Sequence, residues 1–233
     1  MTPTRILYLD TTGHTLMLAL SEGDTLIDEH RQTAASHRYH SAALIPLVHQ
    51  MLGGHGLTAD SLTGVAINRG PGSFTGIRTG VMTARILAQF LPLTTYAFTP
   101  FELLAWAVHQ KAPHPQGRYT IALDALRGQA YVAALTVAQG IPVLKEAPVL
   151  KVLPPEAPAG KVVADDTLHS ALSGCDVTTV QTLNCFTPAA MHALLRQDAA
   201  RYTLPWEDLL PVYLQDPNIT MKKNVLAPSG PVC

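Results

Sequence analysis

The spacing of apolar residues changes in a regular order along the first hundred positions. Short runs at Arg5 to Leu9, Thr15 to Leu20 and Thr25 to His30 read as three strands, separated by Asp10-Thr11-Thr12-Gly13 and Glu22-Gly23-Asp24. Short connections of turn-forming residues predict an antiparallel meander. From Ser36 the spacing becomes three and four, with Tyr39, Ala43, Leu47 and Met51 beside Leu44, Val48 and Leu52, which predicts a helix. Pro46 predicts a kink in it, and Gly53-Gly54 its end. Gly64 to Asn68 is a short buried strand, and Leu93 to Phe98 another. Between them Phe74, Ile77, Val81, Ala84, Ala88 and Leu91 share one face of a second helix. Thr99-Pro100-Phe101-Glu102 is a capping box with proline at the first helical position, so a third helix starts there.

The second helix carries Gly76, Gly80, Ala84 and Ala88 at every fourth position, a ridge of small residues. A glycine inside a helix costs about 1 kcal/mol relative to alanine. Two of them need a compensating gain, such as close approach of another backbone or a ligand.

The order β-β-β-α-β-α-β-α predicts a mixed sheet covered by helices. It resembles the ribonuclease H-like half-domain of the actin, sugar-kinase and Hsp70 superfamily. The second half repeats the opening: Tyr119 to Leu123 runs into Asp124, then Leu126-Arg127-Gly128, then a strand over Ala130 to Val137. The fold class expected is therefore α/β, with two ribonuclease H-like (actin-like ATPase superfamily) lobes. The lobes are expected at residues 1–102 and 103–205, with 206–233 returning to the first lobe. Pro142 to Pro158 carries five prolines and reads as extended connections. Lys161 to Ala164 reads as a strand, Thr187-Pro188 as the start of a helix through about Asp198, and Pro211 to Leu214 as a last strand-like piece before a loose tail.

Composition adds two constraints. Charged residues make up 14% of the chain, against about 25% in typical soluble domains, which predicts a face covered by a partner. The net charge of −1 argues against independent tight grip on a nucleic-acid backbone. Cys175, Cys185 and Cys233 show no paired spacing and suit a reducing compartment. With no signal-peptide pattern and no uninterrupted apolar span, the expected location is cytoplasmic, without a membrane.

The loop Gly70-Pro71-Gly72, entering a helix at Phe74, invites comparison with phosphate-binding motifs. Gly76 comes one residue late for the dinucleotide fingerprint, no Gly-Lys-Ser/Thr follows, and Ser73 lacks the flanking glycines of a nucleophile elbow. A generic anion site at a helix N-terminus is left, with Ser73 and Arg78 as contributors. The other reading is a tight turn that permits close packing. Asp10 and Asp124 sit where the superfamily places its Mg²⁺-phosphate carboxylates, yet both also suit strand-end turns. Asp10, Gly70, Gly72, Ser73, Arg78 and Asp124 thus form a candidate vestigial anion or nucleotide site. His37 and His40 lack a third ligand in recognisable spacing, and no metal site is expected.

Asn68-Arg69-Gly70-Pro71-Gly72-Ser73-Phe74-Thr75-Gly76-Ile77-Arg78 resembles the signature of the bacterial TsaB (YeaZ) family. The resemblance extends to the opening LYLDTTGHTLMLAL, to His40 through Pro46, to Ala122-Leu123-Asp124-Ala125 with Gly128 and Tyr131, and to Pro211-Val212-Tyr213-Leu214. It implies a non-catalytic partner of TsaD in threonylcarbamoyl transfer to the anticodon-adjacent adenosine of tRNA. It further implies no cofactor of its own, TsaE in a ternary complex, a homodimer when alone, and tRNA contact only through the complex. TsaD-like subunits carry an H-x-x-x-H metal motif after the corresponding helix. Here that stretch is Phe98-Thr99-Pro100-Phe101-Glu102, without histidine. On this reading the first two helices form the partner interface, through His40, Leu44, Val48, Phe74, Gly76, Ile77, Gly80, Val81, Ala84 and Ala88. The alternative functions are an ATP-dependent phosphotransferase or a metal-dependent peptidase of the same superfamily.

Overall fold

A computed structural model of the chain describes residues 3–33, 38–111, 113, 117–125, 128–152, 161–165, 168, 177–180 and 188–214. The first sheet has the order β3-β2-β1-β4-β5. Its strands are β1 (Arg5–Asp10), β2 (Thr15–Glu22), β3 (Thr25–Thr33), β4 (Gly64–Asn68) and β5 (Thr94–Phe98). The first three form the expected antiparallel meander, while β4 and β5 run parallel to β1. The central strands are buried on both faces, as expected where helices cover a sheet on either side. Leu7, Leu9, Leu18 and Ile67 face one way, under α1 (Arg38–Gly54) and α2 (Phe74–Phe90). Ile6, Tyr8, Ala19 and Ala66 alternate with them and face the other way, toward α4 (Pro188–Tyr202).

The second sheet repeats that plan in the order β11-β10-β6-β7-β8, with β9 also paired to β7. Here β6 is Arg118–Asp124, β7 Gln129–Ala138, β8 Ile141–Leu144, β9 Val149–Val152, β10 Lys161–Asp165 and β11 Val177–Val180. β10 and β11 run parallel to β6, as β4 and β5 do to β1. The stretch read as proline-rich connections therefore contains the counterpart of β3, split into β8 and β9 that pair with opposite halves of β7. Pro142 lies within β8 and Pro148 just before β9, and an edge strand tolerates proline because it has one hydrogen-bonding side to spare. α3 (Pro100–Lys111) packs Phe101, Leu104, Ala105 and Val108 against the second sheet, whereas Leu103 and Trp106 reach the layer under the first.

Two further elements differ from the sequence expectation. α4 continues to Tyr202 with a non-helical residue at Asp198, where its end was expected. Pro211 to Leu214 is irregular chain rather than a strand. The chain divides less simply than at residue 102, because α4, from the second span, covers the first sheet with Ala190, Met191, Leu194 and Leu195. The first sheet needs that helix, since Ile6, Tyr8 and Ala66 would otherwise face water. A short turn at Trp206–Asp208 then brings Leu209 into the core beneath α1 and α2. His37 and the tail from residue 215 lie outside the described residues, as does the side chain of His40.

Replacing Leu194 by alanine, which opens a cavity between α4 and the first sheet, should destabilise the protein by about 2–5 kcal/mol. Urea unfolding followed by both circular dichroism and tryptophan fluorescence is the check. A loss below about 1 kcal/mol would mean that α4 does not seal that face.

Candidate functional site

The carboxyl ends of β1 and β4 bring Asp10 and Asn68 together beneath the glycine loop. Asp10 is buried, and Oδ1 accepts hydrogen bonds from the Thr12 amide at 2.9 Å and the Thr12 hydroxyl at 2.7 Å. Oδ2 accepts from Asn68 Nδ2 at 2.9 Å. Asn68 Oδ1 in turn accepts the Gly70 amide at 3.2 Å, which ties the loop to the strand end. Burial raises the Asp10 carboxyl above the ordinary aspartate range, opposed by the hydrogen bonds from Asn68 and Thr12.

The turn after β1 also plugs the loop. The Ser73 amide donates to the Thr12 carbonyl at 2.7 Å, and Gly72 has no room for a side chain, since a Cβ there would stand 2.6 Å from the same oxygen. The Thr11 hydroxyl donates to the Gly76 carbonyl at 2.7 Å. A Cβ on Gly76 would lie 1.9 Å from the Thr11 carbonyl oxygen, and one on Gly80 2.4 Å from Thr11 Oγ1. These glycines are therefore required by the chain's own β1–β2 turn, which beds into the groove they leave along α2. Ser73 caps the helix by accepting the Gly76 amide at 3.3 Å. The loop keeps the outline of an anion cradle, but the Ser73 and Gly76 amides serve internal acceptors.

On the outer side, the segment after α4 straps the loop. Val212 N–H donates to the Arg69 carbonyl at 2.9 Å, and Arg85 Nη1 donates to the carbonyls of Glu207 and Leu209 at 3.2 and 3.1 Å. The Phe74 and Tyr213 rings meet at a tilt with centres 5.0 Å apart, and the Arg78 guanidinium is 5.4 Å from the Phe74 ring centre. Arg78 thus covers an aromatic ring at the surface.

The candidate nucleotide residues are only partly assembled. Asp10, Gly70, Gly72 and Ser73 are joined through Thr12 and Asn68, while Asp124 closes β6 of the other sheet opposite Ala130. Thr11, Thr12 and Asn68 are the groups the candidate set left out, although all lie in the quoted motifs. Among the described residues, no three histidine, cysteine, aspartate or glutamate side chains stand close enough to hold a metal ion. Where a TsaD-like chain has its metal motif, Glu102 accepts from the Thr99 amide at 3.0 Å and the Thr99 hydroxyl at 2.9 Å. Burial raises its carboxyl, opposed by those two bonds and by Arg201 and Arg69.

The expected partner face requires a correction. Leu44, Val48, Gly76, Ile77, Gly80, Val81, Ala84 and Ala88 are buried within the chain itself. Periodicity shows which residues share a face, and the cover on that face is the first sheet. Of the described members of that set only Phe74 is exposed, and beyond Arg78 its every-fourth series continues with exposed apolar residues: Met82 is 51% exposed, Ile86 50% and Phe90 78%. Ile45 on α1 is 55% exposed. The signal for this stripe was present in the sequence as a second apolar series on α2, offset from the buried one.

Two copies of a ribonuclease H-like sheet define the class, an actin-like two-lobed α/β protein. YeaZ from Pseudomonas aeruginosa shares this fold, with a TM-score of 0.74 at 23% identity over 91% of this chain and 100% of that one. More particularly, the chain belongs to the TsaD, tRNA N6-adenosine threonylcarbamoyltransferase, family, whose sequence profile matches residues 31–200. It is similar to the tRNA threonylcarbamoyladenosine biosynthesis protein TsaB of Bacillus subtilis (strain 168), at 33% identity over 136 residues, 58% of this chain and 57% of that protein. TsaB of Escherichia coli (strain K12) is 30% identical over 129 residues, 55% of this chain and 54% of that protein. The matched region spans about half the length of these curated relatives.

Gly76→Ala should destabilise the fold by about 1–3 kcal/mol or more, because the methyl group meets backbone rather than a yielding side chain. Gly53→Ala, in open space, should be neutral or slightly stabilising; equal effects in thermal unfolding would contradict the interlock. Asp10 also carries a pH signature. Its folded pKa is raised, so its contribution to stability is present below the unfolded value and lost as pH rises through the folded one. The stability difference between wild type and Asp10→Asn should therefore move against wild type as pH rises from about 4, then level off. A difference independent of pH would show that the carboxyl is not buried as described.

Proposed function

We propose that the protein is the non-catalytic partner of a TsaD-type subunit, required for threonylcarbamoyl transfer to the adenosine beside the tRNA anticodon. It acts in the cytoplasm, with a TsaE-type ATPase joining the complex and tRNA engaged within the assembly. The observation that carries this reading is the uncovered apolar stripe Met82–Ile86–Phe90 on α2, with Ile45 of α1 exposed as well. Large apolar side chains in a row on one helix face mark a surface that another protein covers. The interface is thus the outer side of α1 and α2, and the buried ridge supports it from beneath. In a TsaD-type partner the corresponding helices complete a four-helix contact, and without that partner a second copy takes their place. Similarity to TsaB proteins supplies the pathway.

The phosphotransferase alternative needs Asp10 available to a metal–phosphate group, and that carboxylate already accepts three internal hydrogen bonds. The peptidase alternative gains no ligand set from the described residues. No described helix is long and apolar enough to cross a membrane.

Ile86→Glu combined with Phe90→Asp should abolish co-purification with the TsaD-type subunit and convert the isolated protein to a monomer in sedimentation. The double variant should also fail to restore threonylcarbamoyladenosine in tRNA of a depleted strain. Because both side chains face solvent, each substitution should change stability by no more than about 0.5 kcal/mol. Full binding and full restoration by this variant would place the interface elsewhere.

A further inference from the structure

The second sheet carries a cleft, lined by Arg118 and Lys145, that the partner role does not use. Arg118 opens β6 and lies opposite Thr136 of β7, so both side chains project from the same face of the sheet. Lys145, just after β8, donates its backbone N–H to the Ala134 carbonyl at 3.0 Å and stands on the far side of β7. Ala134 and Thr136 are two residues apart and face the same way. The two cations therefore flank β7 diagonally, with a methyl group and a hydroxyl as the floor between them. Strands about 4.8 Å apart and a residue rise of about 3.3 Å put their Cα atoms about 12 Å from each other. Two long side chains can converge across that span. Tyr119 and Leu135, which also line the cleft, belong to the core on the opposite face and contribute mainly backbone.

The cleft has a volume of about 280 Å³, below the range of about 300–1,000 Å³ that holds a drug-sized molecule. It suits one compact group. Neither Arg118 nor Lys145 forms an ion pair among the described residues, whereas Arg5, Arg31 and Arg196 each pair with a carboxylate. The neighbouring carboxylate in the chain, Glu146, is exposed. We infer that Arg118, Lys145 and Thr136 form a phosphate-binding cleft that holds one backbone phosphate of RNA. This deepens the reading above by giving the subunit its own contact with tRNA, and takes only the choice of RNA from it. A single cleft is a weak site in a chain of net charge −1, so it positions RNA already held by the assembly.

The test is fluorescence anisotropy of labelled tRNA with the full-length protein at about 50 mM salt, where phosphate contacts contribute most. Arg118→Glu with Lys145→Glu should weaken binding by about tenfold or more, and Arg118→Ala with Lys145→Ala should flatten the salt slope by about one. Arg118→Lys with Lys145→Arg should retain most of the affinity, which separates lost charge from misfolding. Inorganic phosphate serves as competitor and should displace tRNA from wild type more readily than from the alanine pair. Unchanged tRNA affinity and salt slope in the glutamate pair would overturn the inference, as would phosphate binding sensitive to the variants with no change toward tRNA. The glutamate pair keeps the α2 stripe intact. If it still binds the TsaD-type subunit while tRNA affinity is unchanged, the cleft fails and the partner role stands. If wild type binds tRNA through the cleft but no TsaD-type subunit, the partner role fails instead.

Discussion

Insertion of the β1–β2 turn into α2 is the constraint on which the rest of the first lobe depends. Thr11 and Thr12 leave the sheet at Asp10, and the turn must be held tightly enough to lie along a helix without side chains at Gly76 and Gly80. Asp10 holds it through Thr12, and Asn68 ties that carboxylate to the glycine loop. Removing one partner would leave a buried polar group unsatisfied, at a cost of about 1–3 kcal/mol. The glycines' intrinsic penalty is about 1 kcal/mol each. A hydrogen bond from Thr11 to Gly76 and close packing over Ile67 are the compensating gains.

The same interlock decides what each side of α2 is for. Its inner side is committed to Thr11, the sheet and α1, so a partner can meet only the outer side. There the helix presents Met82, Ile86 and Phe90 to solvent, with Phe74 at the near end sharing a contact with Tyr213. Arg85, between the two sides, anchors the returning chain through the Glu207 and Leu209 carbonyls. Loop, strap and outer stripe are consequently one continuous construction. A loop with the outline of a nucleotide site supports the helix that carries the exposed apolar stripe.

Much of this architecture was legible in the sequence because alternation and helical spacing report burial directly. The meander, the helix beginning at Phe74 and the capping box at Thr99 all follow from it, and the repeat at Tyr119 to Val137 anticipated the second sheet. The third strand of that sheet was not legible, because Pro142 and Pro148 mark breaks, and an interrupted edge strand shares that mark with a loop. Val177–Val180 has the β-branched composition of a strand but stands alone, four residues long, with no repeating context to identify it. The face of α2 was assigned to the wrong neighbour for a more general reason. Small residues at every fourth position announce close approach, but only tertiary structure shows whether the approaching group belongs to the same chain.

Calorimetric titration of Mg-ATP into the full-length protein most directly tests whether the loop is closed by its own turn. With Asp10 engaged by Thr12 and Asn68, and the Ser73 amide on the Thr12 carbonyl, the account predicts no saturable heat. Stoichiometric binding that disappears in Asp10→Asn would contradict it, by showing that the turn yields and the cradle still takes a nucleotide.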